Sequence, residues 1–116
     1  MITVNFRVTE NDVVEYANVS GDFNPIHFNP KYAQQQGFSK KVVHGMLTMT
    51  KIWGIISTEL LKPQSILRKY SLSFLHPVYA GDQVTLHILQ QENKIRFTGS
   101  AENKTVVRGT IIVGTL

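Results

Sequence analysis

At 116 residues and 42% apolar content, the chain fits a single domain, 1–116, with the composition of a globular protein. It has no cysteine, which excludes disulfides and thiolate metal sites and matches a reducing compartment. Twelve basic against eight acidic residues leave a net charge of +4, with Lys40-Lys41 and Arg68-Lys69 the only basic doublets. That pattern argues against nucleic acid and suits a small phosphorylated ligand or an acidic carrier protein.

The N-terminal MITVNFRVTEND lacks a charged region followed by an apolar one, so no secretory signal is expected. Residues Ile2 to Val8 alternate weakly and predict a first strand. Thr9 followed by Asp12 forms a variant capping box, opening a helix that carries Val13, Val14, Tyr16 and Ala17 and stops before Gly21. Two Asn-Pro pairs and a glycine forbid regular structure from Gly21 to Pro30. Asn29 is placed to cap a short helix with Pro30 at its first position, ending near Gly37.

A longer helix is expected from Gly45. Met46, Met49, Trp53, Ile56 and Leu60 recur at helical spacing, and Leu47, Ile52 and Ile55 widen the stripe. A helix apolar nearly all round is buried, and Pro63 ends it. The stretch from Gly45 to Leu61 contains Lys51 and Glu59 and is short for a membrane span, so a soluble, cytoplasmic protein is expected. The rest reads as antiparallel strands: Ile66, Tyr70, Leu72 and Phe74 on one face of the first, then Val84, Leu86 and Ile88 alternating in the next. Turns at Glu92-Asn93 and Glu102-Asn103 bound the strands led by Ile95/Phe97 and Val106/Ile112. One dominant helix with a sheet wrapped around it is the packing this order favours, an α+β class.

Chemistry concentrates in the segment from Tyr16 to Ala33, YANVSGDFNPIHFNPKYA. Asp22 and His27 stand five apart around Pro25, which stiffens the loop. A carboxylate and an imidazole so held can position one water, take a proton from it and return a proton elsewhere, worth roughly 10² to 10⁴ in rate. Asn24 is placed to hold the carboxylate, the imidazole or a substrate carbonyl. Asp22 and Asn24 are also favoured turn formers, so a purely structural role competes. Gly45 at a helix start would leave main-chain N–H groups free to meet a ligand carbonyl, or would merely permit close packing. His44 reads as a supporting residue. No His-x-x-x-His pair or carboxylate at ligand spacing appears, so no bound metal is expected, and there is no nucleotide or dinucleotide glycine motif.

The same segment resembles the signature of the MaoC-like, (R)-specific enoyl-CoA hydratases, hydratase type 2. The match is carried by Tyr16, Val19, Ser20, Gly21, Asp22, Asn24, Pro25, Ile26, His27 and Ala33. His44-Gly45-Met46-Leu47 and the later Phe74, Pro77, Val78, Gly81 and Asp82 extend it. The resemblance implies a hot-dog fold, a sheet wrapped around one long helix, in a homodimer with an acyl tunnel near the subunit interface. It implies that Asp22 and His27 hold the attacking water, that Asn24 supports them and that the Gly45 N–H binds the thioester oxygen. The implied reaction is syn hydration of a trans-2-enoyl thioester to the (3R)-3-hydroxyacyl thioester, and its reverse, with no cofactor beyond the pantetheine of coenzyme A or acyl carrier protein.

Phe23, Phe38, Met46, Met49 and Trp53 are candidates for the tunnel wall, though each also fits an ordinary core. Lys40 and Lys41 are candidates for the coenzyme A phosphates. Three other readings share the fold: a 3-hydroxyacyl-ACP dehydratase of fatty acid or polyketide synthesis, a non-catalytic acyl-thioester-binding or dimerising module, and a thioesterase.

Overall fold

The computed structural model describes residues 1–115. In chain order the elements are β1 (Ile2–Arg7), α1 (Glu10–Ser20), a 3₁₀ turn (Pro25–His27), α2 (Pro30–Gln35), α3 (Gly45–Glu59), β2 (Ser65–Phe74), β3 (Gln83–Gln91), β4 (Lys94–Ala101) and β5 (Lys104–Thr115). The five strands form one sheet in the order β1-β3-β4-β5-β2, antiparallel throughout. β1 and β2 therefore lie at opposite edges, and the chain between them carries all the helices. α3 buries Leu47, Met49, Ile52 and Ile56 in a core shared with Val84, Leu86, Ile88, Ile95, Phe97 and Ile111 of the sheet. A sheet enclosing one long helix is the α+β hot-dog arrangement.

Local rules explain the element boundaries. The Thr9 hydroxyl accepts from the Asp12 N–H at 3.1 Å and the Asp12 carboxylate accepts from the Thr9 N–H at 2.9 Å, a complete capping box. Gly21 ends α1 at φ +78°, a left-handed cap where a side chain would be strained. Asn29 caps α2 through the Tyr32 N–H, with Pro30 at its first position. β4 and β5 join through Glu102 and Asn103, both at positive φ, the geometry of a two-residue hairpin.

Three expectations are corrected. Gly21 to Pro30 is not free of regular structure, because the Asn24 side chain caps a 3₁₀ turn at Pro25–His27. Ile66 does not share a face with Tyr70, Leu72 and Phe74, because the β2–β5 register shifts between Leu67 and Lys69. The bulge adds Arg68 and puts Leu67, opposite Val113, on the face of Tyr70, opposite Ile111. Burial of α3 is also one-sided in the single chain: Met46 is 44% exposed, Trp53 and Ile55 are half-buried, and the Thr50–Gly54–Thr58 seam faces solvent.

Asp12 also ties α1 to α3 through an ion pair with Lys51 at 2.8 Å. Burial pushes its carboxyl up, but the Lys51 ammonium and the Thr9 N–H and hydroxyl outweigh this and hold it below the usual carboxylate range. A carboxyl depressed in the folded state stabilises above its unfolded value and stops doing so as pH falls through its folded one. Asp12→Ala is expected to lose about 1 kcal/mol in urea unfolding near neutral pH. The gap to the parent chain should close progressively below about pH 4. A gap independent of pH would remove the ionised carboxylate from the explanation.

Candidate active site

After α1 ends at Gly21, the chain enters the 3₁₀ turn through a series of side-chain caps. The Asp22 N–H donates to Ser20 Oγ at 3.1 Å, and Asp22 Oδ1 accepts from the Asn24 N–H at 3.1 Å. Asn24 Oδ1 in turn accepts from the Ile26 N–H at 3.0 Å, with Pro25 fixing the first position of the turn. These Asx-type bonds orient Asp22 and His27 with few free torsions.

The strut from Lys41 to Val43 carries the turn onto the fold. The Val42 N–H donates to the Ile26 carbonyl at 3.1 Å, and His27 Nδ1 lies 2.6 Å from the Val42 carbonyl. The strut is held by the Val43 N–H to the Val78 carbonyl at 2.8 Å and the Ala80 N–H to the Lys41 carbonyl at 3.2 Å. A carbonyl oxygen only accepts, so His27 Nδ1 carries the proton and Nε2 is the nitrogen free to exchange one. That Nε2 lies 3.8 Å from Asp22 Oδ2. The separation is beyond a direct hydrogen bond and within reach of one bridging water. The His27 side chain is 10% exposed and that of Asp22 51%, so the pair opens to solvent on the carboxylate side.

His44 completes the cluster. Its Nε2 lies 3.0 Å from the Asp22 carbonyl, and its ring stacks on His27 with centroids 3.6 Å apart and planes at 24°. Ligand atoms of Asp22, His27 and His44 all lie within 4.8 Å of one another, a grouping that spacing along the chain did not reveal. Near-parallel rings direct their in-plane nitrogens side by side rather than toward a common point, and two of the four ring nitrogens already serve carbonyls. The arrangement fits proton transfer better than metal coordination.

Gly45 follows as the first residue of α3. The Leu47 and Thr48 N–H groups donate to the His44 carbonyl, and no side chain caps the helix, so the first N–H groups, those of Gly45 and Met46, find no main-chain partner. Gly45 itself lines a cavity of about 350 Å³, walled also by Phe38, Val42, Thr48, Phe74 and Pro77, among others. Neither Asp22 nor His27 is in that wall, but Val42, which anchors His27, and Gly45, which follows His44, both are.

The remaining expected residues divide. Phe38 lines the cavity, whereas Met49 lies in the core and Trp53 packs against it. Phe23 is exposed and stacks on Phe28 with centroids 6.0 Å apart, and Met46 is outside the cavity wall. Lys41 is paired with Glu10 of α1, leaving Lys40 exposed. Two residues gain weight only in three dimensions. Thr48 is buried on the cavity wall with its hydroxyl unpartnered, and His44 is buried with Nδ1 unpartnered. Nothing in the sequence separates Thr48 from Thr50 and Thr58 of the same helix, both of which face solvent.

Known proteins carry the same frame. The chain is 42% identical over 73 residues to a mitochondrial 3-hydroxyacyl-acyl-carrier-protein dehydratase of Arabidopsis thaliana, covering 63% of this chain and 43% of that protein. It is 39% identical over 77 residues to an (R)-specific enoyl-CoA hydratase of Aeromonas caviae, covering 66% of this chain and 58% of that one, so the matches span about half the length of these relatives. The solved structure of the A. caviae (R)-hydratase involved in PHA biosynthesis superposes with a TM-score of 0.85 at 28% identity, covering 99% of this chain and 93% of that one. Residues 2–111 match the MaoC like domain, and the chain belongs to that family.

Proposed function

We propose that the protein is an (R)-specific enoyl-CoA hydratase, a hydro-lyase adding water to trans-2-enoyl thioesters. The observation that carries this reading is the 3.8 Å gap between Asp22 Oδ2 and His27 Nε2, each group held from behind by a separate hydrogen bond. One water in that gap has its oxygen oriented by the pair. The pair takes one proton from it as the hydroxyl adds to C3, and returns one proton to C2 on the same face. The charge that gathers on the thioester oxygen meets the free N–H of Gly45 at the positive end of α3. Asn24 supports the pair indirectly: its side chain caps the turn and its main chain holds Asp22. Phe38 and the cavity beside Gly45 are where part of the acyl thioester lies, and Lys40 is the lysine free to meet a phosphate.

No cofactor enters beyond the pantetheine arm of the substrate. Among the described residues no helix is long and apolar enough to cross a membrane. The cytoplasm is proposed as the setting from the absence of cysteine. The proposed assembly is a homodimer, favoured by the exposed apolar side chains of Val19, Phe23 and Met46, which lie close along the chain to Asp22 and Gly45. Sedimentation at assay concentration reads that state, and a monomer there would remove it.

The deciding experiment incubates the purified chain with crotonyl-CoA, follows loss of the enoyl absorbance and determines product chirality. An (R)-3-hydroxy product supports the proposal. Unchanged absorbance ends it, and release of free thiol in its place indicates a thioesterase. A second reading, dehydration of 3-hydroxyacyl groups on acyl carrier protein, is favoured by the likeness to the Arabidopsis enzyme and by the net charge of +4. Rates on matched coenzyme A and carrier-protein substrates separate the two.

A further inference from the structure

We propose that His44 is the positioning residue of this site, one ring that sets both members of the acid–base pair. The proposal rests on the hydratase reading above, and it starts from a buried histidine which that reading leaves without a task. His44 is 4% exposed and stands at the N-cap of α3, where its side chain makes no capping bond. Its Nε2 faces the Asp22 carbonyl at 3.0 Å, and a carbonyl only accepts, so Nε2 carries the proton and donates. Nδ1 is buried with no partner. The ring thus has one hydrogen bond to give, and it holds the main chain of Asp22.

One face of the same ring is occupied by His27 at 3.6 Å, and Tyr16 of α1 meets it edge-on at 5.0 Å. His44 therefore fixes Asp22 along the chain and sets the plane in which His27 Nε2 points. The 3.8 Å gap for the water is the product of both constraints. His44 is also bonded directly to Gly45, whose N–H is the proposed oxyanion donor, so a shift of this one residue displaces all three groups. A displacement of about 1 Å at a reacting group can cost about 10² in rate.

Histidine joins a flat stacking surface to a distal donor, and two substitutions separate them. Phe keeps the stack and loses the donor, while Gln places an amide N–H near the position of Nε2. With crotonyl-CoA, His44→Phe is expected to lower kcat by about tenfold or more with KM changed less than about threefold, and His44→Gln, which restores the donor but not the stack, to recover only part of that kcat. The proposal is overturned if His44→Phe keeps the parent kcat, if its loss lies in KM, or if His44→Gln does no better than His44→Phe.

Should His44→Phe fail to fold, long-range nitrogen–proton spectra of the unmodified protein still decide. They are expected to show His44 as the Nε2–H tautomer and His27 as the Nδ1–H tautomer, and the opposite tautomer at either ring overturns the arrangement. These spectra do not depend on turnover. An inactive protein with both expected tautomers would therefore refute the hydratase reading and leave the His44 geometry standing. An active protein with the wrong tautomer would do the reverse.

Discussion

Asp22→Asn and His27→Ala are each expected to lower the hydration of crotonyl-CoA by about 10² or more, with the fold retained. Asn at position 22 keeps an oxygen that can accept from the Asn24 N–H, so the turn survives while the carboxylate charge is lost. The side chain is 51% exposed, which makes the change inexpensive for stability. His27→Ala is harsher, because it strips the Val42 carbonyl of its donor in a half-buried site and costs about 1–3 kcal/mol. The double variant is expected to be little slower than either single one, since two groups serving one water act as a unit. Steady-state rates, read beside circular dichroism to verify folding, provide the check. Parent-like turnover in both single variants would eliminate the pair as the proton-transfer apparatus.

The second large effect is expected at the start of α3. Gly45→Pro deletes the N–H assigned to the thioester oxygen and keeps the helix, because proline is accepted at a first helical position. His44 sits at φ −57° and ψ 129°, extended backbone that a following proline permits. Gly45→Ala is the matched control. A Cβ at this position would lie 3.2 Å from the Phe74 ring, and both variants introduce it. Phe74 is half-exposed and its ring can yield by the few tenths of an ångström required. The proline variant is expected to fall below the alanine variant by about 10² to 10³ in kcat, the usual cost of one lost oxyanion donor. Equal rates in the two variants would mean that this N–H does not contact the substrate.

Much of the frame could be read from residue order because it rests on short-range chemistry. Thr9 and Asp12 cap each other across three residues, Gly21 supplies a conformation that other residues resist, and Asn29-Pro30 opens α2 by the same kind of rule. Val84, Leu86 and Ile88 alternate without interruption, and all three are buried. The reading failed where one strand departs from regular pairing. The extra residue at Arg68 reverses the side on which Ile66 lies, and nothing in SILRKYSLSF marks the bulge. It also failed on α3, where apolar periodicity gave the stripe but not how much of it the sheet covers. Residue order also left open whether Met49 lines a tunnel or the core and what Lys41 meets; the one packs in the core and the other pairs with Glu10, because each choice depends on which element packs opposite.

The amino-acid order alone determined the turn that carries Asp22, Asn24 and His27, the glycine that opens α3, and the family signature these residues compose. Its rules act over a few residues, through fixed torsions and neighbouring caps. Only the tertiary structure decided the 3.8 Å gap between carboxylate and imidazole, the stacking of His44 on His27, and the cavity beside Gly45. Those distances join the turn, the strut and the start of α3, and they are set where α1, the strut and the sheet pack against one another. Packing between segments far apart in sequence is governed by volume and burial, which local residue order does not encode.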